Sequence, residues 1–102
     1  MNIGGMNRML RKMQEDMARM QEELRERTVE GSAGGGSVRV RVSGSLEVRA
    51  VEIDPAAIDP EDPSLLADLV AAAVNDGLRQ AQAMVAEAMG KITGGLRLPG
   101  MP

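Results

Sequence analysis

The chain contains no phenylalanine, tyrosine or tryptophan, no cysteine and no histidine. Without Cys and His, disulfides, zinc and iron–sulfur centres, thiol nucleophiles and imidazole acid–base chemistry are all excluded. Without aromatic rings the largest single blocks of buried area are missing. Val, Ile, Leu, Met and Ala must fill the interior, and nine methionines supply adaptable filler. At 102 residues such a core is thin for one copy, so a partner subunit is expected to complete it. Proteins that hold single strands stack bases on rings, so any nucleic-acid partner here is expected to be a duplex met through its backbone.

Other absences narrow the field further. No apolar run approaches the ~20 residues that span a bilayer. The opening Met1-Asn2-Ile3-Gly4-Gly5 lacks the apolar core of a signal peptide. The protein is therefore expected to be soluble and cytoplasmic. A net charge of −3 argues against a polycation that coats nucleic acid. The charge is uneven, however: residues 1–12 hold Arg8, Arg11 and Lys12 and no acid, whereas residues 55–92 hold six acids against Arg79 and Lys91. An anionic partner should meet the amino-terminal part.

The positive features begin with a predicted helix over residues 3–27. Met6, Leu10, Met13, Met17, Met20 and Leu24 are spaced 4, 3, 4, 3, 4, the seam of a heptad pattern. Pairs such as Arg11–Glu15, Glu15–Arg19 and Glu23–Arg27 support the helix at i,i+4. So narrow a stripe on so long a helix predicts projection from the body and contact with a second helix. The seam is the expected dimer interface. A partner-binding groove and a membrane-surface helix are the alternatives, but the regular heptad and the lack of aromatic anchors favour self-association.

Gly31-Ser32-Ala33-Gly34-Gly35-Gly36-Ser37 reads as a flexible linker, because it lacks the Gly-Lys-Ser/Thr ending of a phosphate-cradling loop. Val38-Arg39-Val40-Arg41-Val42 alternates strictly, predicting a strand with its arginines on the wet face. Ser43-Gly44-Ser45 turns the chain. Leu46-Glu47-Val48 resumes alternation, but Val51 and Ile53 fall out of phase, and a bulge near Arg49-Ala50 would return both halves to one face. Two or three antiparallel strands are expected over residues 27–54. Asp62 and Pro63 form a helix start. Leu65, Leu66, Leu69, Val70, Ala73, Val74, Leu78, Ala81, Val85, Ala88 and Ile92 then mark one face of a helix to about residue 91. Gly94-Gly95 stops it, and residues 93–102 are expected to form a flexible tail.

Taken in order, the methionine-rich helix, the glycine loop, the hairpin, Val51-Glu52-Ile53-Asp54-Pro55 and Asp68-Leu69-Val70-Ala71-Ala72-Ala73-Val74-Asn75-Asp76 resemble the YbaB/EbfC family of bacterial nucleoid-associated proteins. The closing Gly94-Gly95-Leu96 and Pro99-Gly100 fit as well, so the resemblance covers nearly the whole chain. It implies a single α+β domain over 1–102: a projecting helix (1–27), a β-hairpin region (28–54), a second long helix (60–92) and the tail. It also implies an intertwined, tweezer-like homodimer with a shared central sheet, and binding of double-stranded DNA in organising the nucleoid. Family likeness places DNA contact on the long helices without assigning single residues.

The residues themselves nominate Arg8, Arg11 and Lys12, whose spacing puts them on one patch away from the seam. Cations of this kind meet phosphates with little regard to sequence. Arg19, Arg25 and Arg27 could extend the track, although Glu15, Glu22, Glu23 and Glu26 partly neutralise it. Lys91 and Arg97 add cations near the tail, beside Leu98, Pro99 and Met101, apolar side chains of the kind some architectural proteins insert between base steps. Arg39, Arg41 and Arg49 are better explained as solvated strand residues that discourage edge pairing. Asp59, Glu61 and Asp62 are explained by helix-start chemistry, so no metal, cofactor or small-molecule substrate is expected and no enzymatic role. A non-enzymatic protein–protein adaptor, using the acidic body and the methionine-rich helices, remains the alternative.

Overall fold

The computed structural model describes residues 3–93. A helix α1 (Ile3–Glu26) is followed by strands β1 (Thr28–Ala33), β2 (Val38–Ser43) and β3 (Val48–Ile53), then by helix α2 (Pro63–Thr93). Single 3-10 turns at Gly34–Gly36 and Pro55–Ala57 complete the order. The strands form one antiparallel sheet in the order β1-β2-β3. The radius of gyration is 19.8 Å, against about 13 Å for a compact domain of this size. The molecule measures 72 × 28 × 16 Å, because both helices are long and α1 leans on the rest only through its lower half.

The core lies where α2 crosses β1 and β2. Val38, Val40 and Val42 are fully buried with Ala73 and Ala81, and Val29, Ile53, Leu66, Leu69, Val70, Val74 and Leu78 close around them. The alternation of β2 is therefore as read, with Arg39 and Arg41 exposed. The bulge also stands where the phase break placed it. Arg41 pairs with Ala50 but Val42 pairs with Val48, which leaves Arg49 as the extra residue and puts Val48, Val51 and Ile53 on the face of the buried valines.

Three readings need correction. Gly31, Ser32 and Ala33 are not part of the linker; they are the second half of β1 and pair with Val40, Arg39 and Val38. Gly31 is a glycine because α2 approaches so closely: a Cβ there would land on Gly77 N and Ala73 O. Leu46 does not resume a strand but turns the chain with φ 63°, and Leu46 N–H donates to Ser43 O at 2.9 Å. Leu65 lies off the buried face of α2 and is 49% exposed.

The helix start is as expected: Asp62 Oδ1 accepts from Ser64 Oγ–H at 2.9 Å and from Leu65 N–H at 3.3 Å. On α1, Arg19 turns to Asp16 and Arg25 to Glu22, both at i,i+3 and not at the i,i+4 spacing anticipated. A contact not foreseen joins α2 to the sheet. The Asp76 carboxylate accepts from the backbone N–H of Ser32 at 2.9 Å and from Gln80 Nε2 at 3.2 Å. Asp76→Ala is expected to destabilise the fold by about 1–2 kcal/mol, since it leaves a strand N–H without its charged acceptor. Urea unfolding would measure this through a lower midpoint at unchanged slope.

Candidate nucleic-acid interface

Along α1 the apolar seam is buried progressively from tip to base. Met6 and Leu10 are each 50% exposed, Met13, Met17 and Met20 are half-buried, and Leu24 is 5% exposed. Ile3 and Met9 add to the bare tip. Leu24 is thus already occupied within its own chain, whereas Met6 and Leu10 face water.

Arg8, Arg11 and Lys12 stand on this projecting part, all exposed. Among the described residues no ion pair engages them, and the first acid on α1 is Glu15. The remaining candidates divide. Arg25 is held by Glu22 at 2.9 Å and Arg19 by Asp16 at 3.6 Å. Arg19, Arg27 and Lys91 line one open groove of about 450 Å³ between α1 and α2, together with Asp16, Glu23 and Glu87. Three acids balance its three cations, so this groove is no anion trap. Arg97 lies outside the described residues.

The sheet arginines are committed elsewhere. Arg39 reaches Glu52 at 2.9 Å and Arg41 reaches the same carboxylate at 3.5 Å, across the wet face. The acidic trio before α2 is used locally: Asp59 Oδ1 accepts from Glu61 N–H at 2.9 Å, and Asp62 caps the helix. The described residues offer no group of His, Cys, Asp and Glu suited to a metal ion. None of their helices is long and apolar enough to cross a membrane.

The family profile of YbaB/EbfC DNA-binding proteins matches residues 1–96. The chain belongs to the YbaB/EbfC DNA-binding family. A nucleoid-associated protein of Moorella thermoacetica is 56% identical over 103 residues, covering 98% of this chain and 99% of that one. Another from Syntrophobacter fumaroxidans is 58% identical over 89 residues, covering 87% and 81%. Among solved structures, an uncharacterized protein from Helicobacter pylori shares the fold with TM-score 0.78 at 21% identity, over 92% of this chain and 99% of that chain. The family is one of DNA-binding proteins, not of enzymes, in agreement with the lack of catalytic groups read from the sequence.

Sequence reasoning missed two residues that pack against the end of α1. Arg49 does not simply point to solvent; its guanidinium Nη2 donates to the backbone carbonyl of Arg25 at 3.1 Å. Gly44 lies beneath Leu24, where a Cβ would stand 2.8 Å from the leucine Cβ. The bulge and the turn glycine were visible as signals, but what they face was not.

Proposed function

We propose that this protein is a nucleoid-associated protein of the bacterial cytoplasm that binds duplex DNA as a homodimer, with little sequence specificity. The observation that carries the reading is the patch of Arg8, Arg11 and Lys12: exposed, unpaired among the described residues and carried on a projecting helix. The half of α1 that carries it has no acid to repel phosphate. Arg27 and Lys91 share their groove with Asp16, Glu23 and Glu87 and add little, and Arg19 and Arg25 would first have to leave their acids. Contacts of this type go to the sugar–phosphate backbone, which carries affinity but no base readout.

Dimerisation is supported by apolar surface left bare in one copy. α2 covers β1 and β2 but leaves Val48 and Val51 of β3 46% and 44% exposed. Leu46, Ile58 and Leu65 are exposed to similar extents. Leu46 also holds a left-handed backbone that Gly or Asn would adopt at less cost, which a buried contact with a second copy would offset. The open β3 face completes the shared sheet, and the distal seam of Met6, Leu10 and Met13 supplies the contact between helices; Met17 and Met20 border it on the side of their own α2, while Leu24 is taken up by Gly44 of its own chain.

Sedimentation velocity tests this directly. The native chain is expected at twice its 10.8 kDa mass. Val48→Glu with Val51→Glu is expected to give monomer or aggregate, and Met6→Glu with Leu10→Glu a weakened dimer. An unchanged dimer in both double variants would show that neither surface is the interface.

A further inference from the structure

Helix α1 runs beside α2 through its lower half, where Met17 and Met20 are half-buried, and is tied to the sheet through its last turn. Leu24 is the buried residue of the helix, and it settles on Gly44. Gly44 N–H donates to Leu24 O at 2.9 Å and to Arg27 O at 3.1 Å. The carbonyl of Arg25, between them, is held by a side chain instead, the guanidinium of Arg49 at 3.1 Å. These bonds occupy carbonyls at the end of the helix that would otherwise lack partners.

Arg49 reaches that carbonyl because of the bulge. It is the residue left over between Val48, paired with Val42, and Ala50, paired with Arg41. Bulges re-aim side chains in this way. Glu47 stands 3.6 Å from Nη1 and steadies the guanidinium from the other side. The carbonyl end of a helix carries partial negative charge, so a fixed cation is favourable there. Arg39 and Arg41, from regular positions of β2, close on Glu52 instead.

The leverage is large. The 24 residues of α1 span about 36 Å. A tilt of about 10° at the base displaces the tip by about 6 Å, half the width of a major groove. Grooves of about 450 Å³ and 340 Å³ flank the helix near Met20, so the space beside it does not prevent a tilt.

We propose that Arg49 is a positioning residue for DNA binding. By holding the Arg25 carbonyl it fixes the direction in which α1 leaves the sheet, and hence where Arg8, Arg11 and Lys12 stand, without touching DNA itself. The proposal rests on the reading of α1 as the DNA-contacting element.

The absence of native cysteine makes the test clean. Asn7→Cys near the tip and Ala72→Cys on the exposed side of α2 accept spin labels, and dilution into unlabelled protein restricts the measured distances to one subunit. Arg49→Ala is expected to broaden the tip-to-body distance distribution with helix content unchanged by circular dichroism. Affinity for random duplex should fall several-fold with the same salt slope, and Arg49→Lys, which keeps a cationic donor, should recover part of both. A phosphate contact behaves otherwise: losing two per dimer would flatten the slope of log K against log salt by about 2. That flattening, or an unchanged distance distribution in Arg49→Ala, would overturn the proposal. A broadened distribution with unchanged affinity would also overturn the role in binding, and the charge reversal on α1 would then show whether α1 meets DNA at all.

Discussion

Simultaneous reversal of Arg8, Arg11 and Lys12 to glutamate is expected to reduce affinity for random duplex DNA by about a hundredfold or more near 0.1 M salt, with the fold intact. The size follows from counterion release. Each phosphate neutralised by a cation contributes about 0.9 to the salt slope, so six such cations in a dimer account for a slope of about −5. Reversal removes this contribution and sets acids against phosphates. The three side chains are exposed and unpaired among the described residues, so their loss costs the fold little. Fluorescence anisotropy across a salt series, beside circular dichroism, separates the effects. A variant that keeps the native affinity and slope would remove α1 from the DNA interface.

The second large effect concerns stability. Gly31→Ala adds one methyl where β1 and α2 are in backbone contact, with Gly77 N, Ala73 O and Gly77 Cα all in its path. No side-chain rotation can relieve a clash with main chain, so helix and strand must part over the centre of the core. The expected loss is about 3 kcal/mol or more, which for a domain of this size lowers the melting temperature by at least about 12 °C. Gly35→Ala is the informative comparison. Gly35 has φ 68°, but a methyl added there would meet nothing within 4 Å, so only the left-handed backbone penalty of about 1–2 kcal/mol applies. Calorimetry should therefore rank Gly31→Ala well below Gly35→Ala. Equal melting temperatures would mean that the close approach of β1 and α2 is not a feature of the folded protein.

Gly31 also shows where a sequence stops being legible. Glycine announces a turn when read locally, and residues 31–37 hold four of them. What makes Gly31 a strand residue is Gly77, far along the chain, and the hydrogen bond from Ser32 N–H to Asp76 in the same neighbourhood. Long-range contact overrode the local signal. The strict alternation of Val38–Val42 had no such competitor, and the phase break after Val48 could be resolved only by a bulge, so both were readable. The capped start of α2 was readable for the same reason, since Asp62 and Pro63 act within a few residues of themselves.

The candidate site was legible in kind more than in detail. Charge asymmetry alone singled out Arg8, Arg11 and Lys12, and the structure leaves them exposed. Spacing made the six seam residues look equivalent, yet Leu24 is buried on Gly44 while Met6 is half exposed. Periodicity reports which face a residue occupies, not how far along the helix the body extends. Alternation likewise grouped Arg49 with Arg39 and Arg41. Its contact with the end of α1 depends on the bulge lifting it out of the ladder, a geometric consequence that residue type does not announce.

On the proposed reading, duplex DNA is held electrostatically by the cations of the projecting helix. Titration of the native protein against a random duplex between about 50 and 200 mM salt tests it most directly, because log K for backbone binding falls linearly with log salt. A line with slope near −5 that keeps its value across unrelated sequences is the expected result. A flat line, or the absence of binding at the lowest salt, would contradict it.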